Sequence, residues 1–329
     1  MKIVHFCAGL EEWNGMANTA RQFVGEERGL GHDSILTNSV QELESCLKTG
    51  VDRVCIHGAW LPVLWKVSKF TKRYGAELYI RPAGSYDPVR LAYHAWKKRL
   101  VSWFEHRMLS RADVLLATCD AEVGWIRTYA PLVKKVEITD LKRFFNLSRV
   151  EGVVLTRIPR AKRVAEVDTL SGVRCSDAEF AEHDGKLTAT DGGLHLLYLG
   201  RRHPLKGVEY LEKAVAELNS NPVNPVQRNS ARPASLRLCV KIISSAFGEE
   251  LEKVWDWCDI LVLPTLSDNF GRVIAEAIER GKRVITTDGA PAWNDGNDYG
   301  GRLTYIKGYR DGTPTERVRL LQDAIESLI

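Results

Sequence analysis

Between residues 267 and 276 the chain reads SDNFGRVIAE. Asp268 and Glu276 stand eight residues apart, with Asn269, Phe270 and Gly271 between them, where a strand-like run gives way to helical spacing. A helix N-terminus offers unpaired N–H groups and the positive end of a dipole, which suits a phosphate. Gly271 removes the Cβ that would keep an anion off the backbone. A carboxylate accepts two hydroxyl hydrogen bonds at once, which suits the vicinal diol of a ribose or hexose. The two acids can therefore face one ligand from different sides of its phosphate. Taken alone, the ten residues also have a plainer reading: Asp268 or Asn269 caps the helix, and Glu276 is a solvated helix residue.

A second cluster is YLGRRHPLKGVEYL, residues 198–211. A strand ends at Gly200, and Arg201 and Lys206 follow at its mouth, where two cations can neutralise a diphosphate leaving group. A basic turn in solvent is the plainer alternative. The P-loop pattern is absent. A third cluster is CAGLEEWNGMANTA, residues 7–20, in which Asn14-Gly15 immediately precedes a helix and can bring backbone N–H groups to phosphates; an ordinary Asn-Gly turn is the alternative. His57, at a strand end in IHGAW, is a candidate contact for an acceptor or sugar, or else a hydrogen-bonded structural histidine. No GxGxxG fingerprint occurs, and no DxD pair occurs.

These residues must be positioned by elements that the spacing makes legible. Strands are expected at 2–7, 34–37, 51–58, 76–84 and 112–119, with helices between them. The same alternation restarts with strands near 194–200, 236–243, 259–265 and in KRVITTDG, and with helices at GVEYLEKAVAELN, near 249–257 and at GRVIAEAIERG. Strands alternating with helices at this pitch mean parallel sheets covered on both faces, so the fold class is α/β, with two doubly wound Rossmann-like domains. The rhythm fails between about 140 and 190, which reads as an interdomain segment with room for a small hairpin. The divisions expected are 1–150, an interdomain segment over 151–190, and 191–329. Pro-, Asn- and Ser-rich residues 219–235 read as a surface loop. Thr313, Pro314 and Glu316 form a capping box that opens the last helix. In doubly wound sheets ligands bind beyond the carboxyl ends of the strands, where all three clusters lie.

The chain has 329 residues, 44% of them hydrophobic, and a formal net charge of only +4. That is enough for two ordinary domains, and it is not the strong basic field of a nucleic-acid binder. No apolar run is long enough for a transmembrane helix, the N-terminus does not read as a signal peptide, and the expected location is cytoplasmic. Seven scattered cysteines without a CxxC argue against a disulfide framework or a zinc site.

Together, YLGRRHPLKGVEYL and VLPTLSDNFGRVIAEAIERGKRVITTDGAPAW resemble the GT-B glycosyltransferases, specifically retaining family 4. The first half adds VDRVCIHGAW, KRYGAELYIRPAGSYDP and HRMLSRADVLLATCDAEVGWIR, which are similar to the acceptor domain of members that build bacterial surface polysaccharide and lipopolysaccharide. The resemblance covers about 1–130 and 194–295. It implies two domains facing across a cleft, the first on the acceptor side and the second binding the nucleotide-sugar. It implies catalytic or donor-binding roles for Arg201 and Lys206 on the diphosphate, Glu276 on the donor ribose, and Asp268 on the sugar hydroxyls. Asn269, Phe270 and Gly271 would line the donor site, and Asn14 and Gly15 would close on the phosphates. Neither cofactor nor metal is expected; the donor would be UDP- or GDP-linked, and the acceptor a glycan or lipid-linked glycan. Three departures stand out. The family usually has Glu at Asp268, often His or Arg at Ala83, and a longer strand–helix–strand step than 236–247 allows. The competing readings are a GT-B protein that binds a sugar nucleotide without turnover, a GT-B epimerase, and an NAD-dependent oxidoreductase, which the missing fingerprint disfavours.

One segment is left over. Residues 89–110 read as a long helix with Tyr93, Trp96, Leu100, Trp103 and Phe104 near one face, flanked by Lys97, Lys98, Arg99, Arg107 and Arg111. The favoured expectation is a core helix that packs this apolar face on the sheet. The alternative is a peripheral membrane or lipid-acceptor surface through 89–111 at the inner face of the membrane.

Overall fold

The computed structural model describes residues 1–11, 14–147, 180–183, 186–189, 193–220, 237–244 and 246–329. It divides into two compact units, Met1–Phe144 and Phe145–Ile329.

The first unit is a parallel sheet of β1 (Lys2–Cys7), β2 (Asp33–Thr37), β3 (Arg53–His57), β4 (Glu77–Arg81), β5 (Val114–Ala117) and β6 (Val136–Ile138), in the order β2-β1-β3-β4-β5-β6. Its strands are short apolar runs such as VCI and VLLA, as expected when both faces are covered. The covering helices are α1 (Gly15–Gly29), α2 (Val40–Lys48), α3 (Pro62–Arg73), α4 (Pro88–Ala92), α5 (Ala95–Leu109) and α6 (Asp120–Tyr129). Val4, Phe6, Ile56, Leu78, Ile80 and Leu115 of the strands form one core with Leu64 and Val67 of α3, Met108 and Leu109 of α5, and Ile126 of α6. The direction of strand succession reverses at β1, whose Cys7 pairs in register with His57 of β3. All five strands expected in this half are present. The sixth, three residues long, carries too little pattern to be seen in the sequence.

The expected long helix over 89–110 is corrected in two respects. It is broken: α4 ends at Ala92, His94 adopts a left-handed conformation (φ 54°), and α5 starts at Ala95. The Lys98 ammonium donates to the carbonyls of Tyr93 and Arg90 and so closes the end of α4. The inward face is also the opposite one. Glu105, Met108 and Leu109 are buried, whereas Trp96, Leu100, Trp103 and Phe104 are exposed. The cause is Glu105, whose carboxylate accepts from Trp60 N at 3.1 Å, Trp65 Nε1 at 2.7 Å and the Tyr86 hydroxyl at 2.6 Å. Burial pushes this carboxyl above its ordinary range, and the three donors oppose that shift. A periodicity argument places the acid outside; the donors place it inside.

A second buried carboxylate does similar work. Glu122 of α6 accepts from Gly84 N at 2.5 Å and Thr118 N at 2.7 Å, joining the loops after β4 and β5. The loops that these two acids hold contain Trp60 (φ 66°) and Ala83 (φ 52°), left-handed residues that are not glycine. Such backbone persists only where its surroundings over-determine it.

In the second unit a parallel sheet has the order β10-β9-β11-β12-β13, formed by β9 (Gly193–Leu199), β10 (Arg237–Ile243), β11 (Ile260–Leu263), β12 (Arg283–Thr287) and β13 (Leu303–Ile306). It is covered by α7 (Val208–Ser220), α8 (Gly248–Trp257), α9 (Arg272–Glu279) and α10 (Pro314–Glu326). The step expected to be compressed is a single passage from β10 through α8 to β11, and β10 is the edge strand among the described residues. The capping box at Thr313 forms as expected. A separate antiparallel pair, β7 (Phe180–His183) and β8 (Lys186–Ala189), accounts for the expected hairpin; most of the 151–190 segment and of the 219–235 loop lies outside the described residues. Cys7, Cys46, Cys55, Cys119 and Cys258 are free, as expected, but Cys239 of β10 is disulfide-bonded. Spacing along the chain does not report which distant cysteines fold together.

Replacing Glu105 by Ala should cost about 3 kcal/mol of stability, because three donors, among them the buried Tyr86 hydroxyl, would lose their acceptor. Arg107→Ala, on the exposed side of the same helix, should stay within about 0.5 kcal/mol of wild type. Urea unfolding measures both; a Glu105→Ala loss as small as that of Arg107→Ala would contradict the anchoring role.

Candidate functional site

In the second unit the loops after β9, β11 and β12 are tied into one cluster at the carboxyl end of the sheet. The Leu205 carbonyl accepts from Leu266 N at 2.9 Å, Thr265 Oγ1 at 3.1 Å and Ser267 N at 3.3 Å. The Thr287 hydroxyl donates to the Thr265 carbonyl, and Asp268 N donates to Gly289 O at 2.7 Å. Two glycines permit this closeness. A Cβ on Gly207 (φ 64°) would run into the Pro264 carbonyl, and one on Gly289 into the Thr265 carbonyl. Pro204–Lys206 forms a single 3-10 turn, with the His203 ring accepting from Leu205 N at 3.2 Å. That turn brings Lys206 back over the loop that carries Asp268.

The Asp268 carboxylate is consequently held from two sides. One oxygen contacts the Lys206 ammonium, and the other accepts from Gly271 N at 3.2 Å. Gly271 (φ 60°) is the left-handed residue that opens α9. An anion thus lies between an ammonium and a helix N-terminus, as the sequence expects of this place, but it belongs to the chain itself. The bond from Gly271 N accords with the capping reading of Asp268.

The other candidates fall around it. Arg201 is exposed at the mouth of β9, with its carbonyl fixed by the buried Tyr198 hydroxyl at 2.8 Å. Burial, then the neighbouring Asp268 charge, pushes the Tyr198 phenol well above its ordinary value. Glu276 is half-buried on α9 and meets Arg272 at 3.5 Å. Burial pushes the Arg272 guanidinium down, while the Glu276 charge opposes this. Asn269 and Phe270 are buried, and Phe270 stacks on Trp293 with centroids 5.4 Å apart while its carbonyl accepts from the indole N–H. Phe270 therefore shapes the loop by packing. Sequence reasoning missed Thr265, Thr287 and Gly289, which lock the loops together; the trace of the last two is the TTDG run at the end of β12.

Three candidates belong to the first unit. Asn14 caps α1: its Oδ1 accepts from Met16 N at 3.0 Å and its Nδ2 donates to Gly9 O at 3.0 Å. Gly15 is the first residue of that helix. His57 is only 2% exposed. Its Nε2 lies 2.8 Å from Nδ1 of His5, whose Nε2 lies 2.8 Å from the Glu27 carboxylate. Phe23 of α1 packs on both rings. This is the geometry of a hydrogen-bonded structural histidine. Burial raises the Glu27 carboxyl, but the His5 and Ser34 hydrogen bonds and the His5 charge hold it below its ordinary value. Among the described residues no group of three or more His, Cys, Asp or Glu side chains is placed to hold a metal ion.

Residues 193–306 match the family model of glycosyl transferases group 1 (Glyco_trans_1_4). No curated protein sequence matches the chain. Solved structures do match over nearly its whole length. A sucrose-phosphate synthase from Thermosynechococcus elongatus aligns with a TM-score of 0.57 and 13% identity, covering 99% of this chain and 89% of that one. WaaG, a glycosyltransferase involved in lipopolysaccharide biosynthesis, aligns with a TM-score of 0.56 and 12% identity, covering 98% and 90%. A trehalose-6-phosphate synthase studied for glycosyl transfer with retention aligns with a TM-score of 0.54 and 9% identity, covering 100% and 91%. The fold is GT-B. The loop cluster lies within the segment that matches the family model.

Two expected outcomes follow from this geometry. Gly207→Ala forces a methyl group against a backbone carbonyl at a left-handed position, so it should cost about 2 kcal/mol or more in denaturant unfolding; a neutral result would mean that the loops are not packed as described. For His57, burial, then the charges of His5 and Arg81, hold the ring well below its ordinary 6.5. A group depressed in the folded state contributes fully above its unfolded value and loses that contribution as pH falls through its folded one. The wild-type melting temperature should therefore decline as pH drops below about 6.5, and His57→Gln should flatten that decline. Parallel pH curves for the two proteins would contradict the burial of a neutral His57.

Proposed function

We propose that this GT-B chain is a retaining glycosyltransferase that moves a sugar from a nucleoside diphosphate sugar to a hydroxyl of a glycan or lipid-linked glycan. The observation that carries this reading is the Asp268 carboxylate held between the Lys206 ammonium and Gly271 N–H. An ammonium and a helix end that hold a carboxylate are equally suited to a phosphate. When the donor's diphosphate takes that place, Asp268 is released toward the sugar hydroxyls. Glu276, one turn further along α9, receives the ribose diol. Arg201 and Lys206 balance the charge that develops on the leaving diphosphate, the kind of stabilisation worth about 10²- to 10³-fold in rate per donor. In the step itself the bond from the anomeric carbon to the phosphate oxygen breaks and the acceptor oxygen attacks the same face. The acceptor's proton leaves with the departing phosphate.

Retention is supported by the likeness to the trehalose-6-phosphate synthase, and a surface-glycan acceptor by the likeness to WaaG. Asp268, one methylene shorter than the glutamate usual in the resembled family, narrows the reach toward the sugar and so bears on which sugar is taken.

A thermal-shift screen against UDP, GDP, ADP and CMP, each with and without magnesium, tests the reading, since a bound ligand raises the melting temperature by linkage. One nucleoside diphosphate should stabilise the protein without metal. No shift from any nucleotide in folded protein would overturn the proposal. Glu276→Ala should abolish donor binding while leaving the fold intact, and unchanged donor affinity would remove the ribose assignment. Arg201→Ala and Lys206→Ala should lower turnover more than donor affinity; the reverse pattern would make them binding residues only.

A further inference from the structure

Helix α5 shows solvent a face that a globular unit ordinarily buries. Trp96 is 62% exposed, Leu100 73%, Trp103 60% and Phe104 47%. At about 100° per residue these four positions form one stripe along the helix, opposite Glu105 and Leu109. The buried Glu105 and its three hydrogen bonds lock the helix in this rotation, so the outward stripe is held in place by the fold. The charges around it are of one sign. Between residues 88 and 111 the chain has Arg90, Lys97, Lys98, Arg99, Arg107 and Arg111, and the single acid, Glu105, is buried. Lys98 is occupied by the carbonyls of Tyr93 and Arg90, whereas Lys97 and Arg107 lie over the rings of Trp96 and Trp103, at 5.4 and 5.2 Å from the centroids.

We propose that this face docks on the surface of an anionic lipid bilayer. The indoles and Leu100 would enter the boundary between headgroups and acyl chains, and Lys97, Arg99 and Arg107 would reach up to the lipid phosphates. Indole rings prefer that boundary, and basic side chains with long apolar stems extend from it to the phosphate level. The uniform positive charge selects anionic over zwitterionic lipid. It also disfavours a second copy of this chain as the occupant, because the same face would meet its own charge. The helix lies on the membrane and does not cross it: among the described residues no helix is long and apolar enough to span. This inference stands apart from the transferase reading, since vesicle binding requires no nucleotide.

The test is co-sedimentation of the full chain with vesicles of phosphatidylcholine alone and of phosphatidylcholine mixed with phosphatidylglycerol. Wild type should pellet with the mixed vesicles and remain in solution with the neutral ones. Trp96→Ser/Trp103→Ser should reduce partition at least tenfold, and Arg107→Glu at least about fivefold. Lys213→Glu on α7, an equal change of charge, should leave it unaltered. Circular dichroism and the nucleotide thermal shift should be unchanged in the Trp96→Ser/Trp103→Ser protein, which separates loss of docking from loss of the fold or of the donor site. Wild type that stays in solution with anionic vesicles would overturn the proposal, as would equal partition into both vesicle types. A wild-type dimer that the tryptophan substitutions dissolve, without vesicle binding, would assign the face to a second copy instead.

Discussion

A carboxylate held between an ammonium and a helix N-terminus is the interaction around which the second unit's loops are arranged. Asp268 can occupy that place because Leu205 O, Thr265 and Thr287 tie the loops after β9, β11 and β12 together, and because Gly207 and Gly289 let backbone meet backbone where a methyl group would not fit. The sheet sets where the three loops begin, and the glycines set how closely they approach. The charge pattern follows: Lys206 and Gly271 N–H are both brought to Asp268 at the start of α9. The proposed diphosphate site rests on this arrangement, in which Asp268 is the anion that meets the Lys206 ammonium and Gly271 N–H.

The first unit solves a related problem with buried acids. Glu105 and Glu122 are costly to enclose; Glu105 offsets that cost with donors from Trp60, Trp65 and Tyr86, and Glu122 with the backbone N–H groups of Gly84 and Thr118. The left-handed Trp60 and Ala83 show how tightly their loops are determined. One consequence reaches the surface, because the donors that fix Glu105 also decide which side of α5 faces solvent.

Much of this was legible in the sequence. The strand and helix alternation, the capping box at Thr313 and the placement of Asp268, Gly271 and Glu276 at the start of one helix depend on local pattern, and local pattern survives folding. What escaped depends on contacts between distant residues. β6 and β13 are too short to show a period. The α5 orientation was inverted because four large apolar residues outweigh one glutamate in any periodicity, while in the folded chain three hydrogen bonds to that glutamate outweigh them. Lys206 looked like a waiting cation; that it already holds Asp268 follows from a turn whose closeness rests on a glycine contact with Pro264. The disulfide at Cys239 likewise depends on the fold and not on spacing.

The central claim is that Asp268 occupies the phosphate position of its own chain. Calorimetric titration of inorganic pyrophosphate into wild type and Asp268→Asn tests this most directly, because the probe has neither base nor sugar. Removing the internal charge should let pyrophosphate bind at least about tenfold more tightly, on the order of the worth of a charge-assisted hydrogen bond. Unchanged or weaker binding in a folded Asp268→Asn protein would contradict the account.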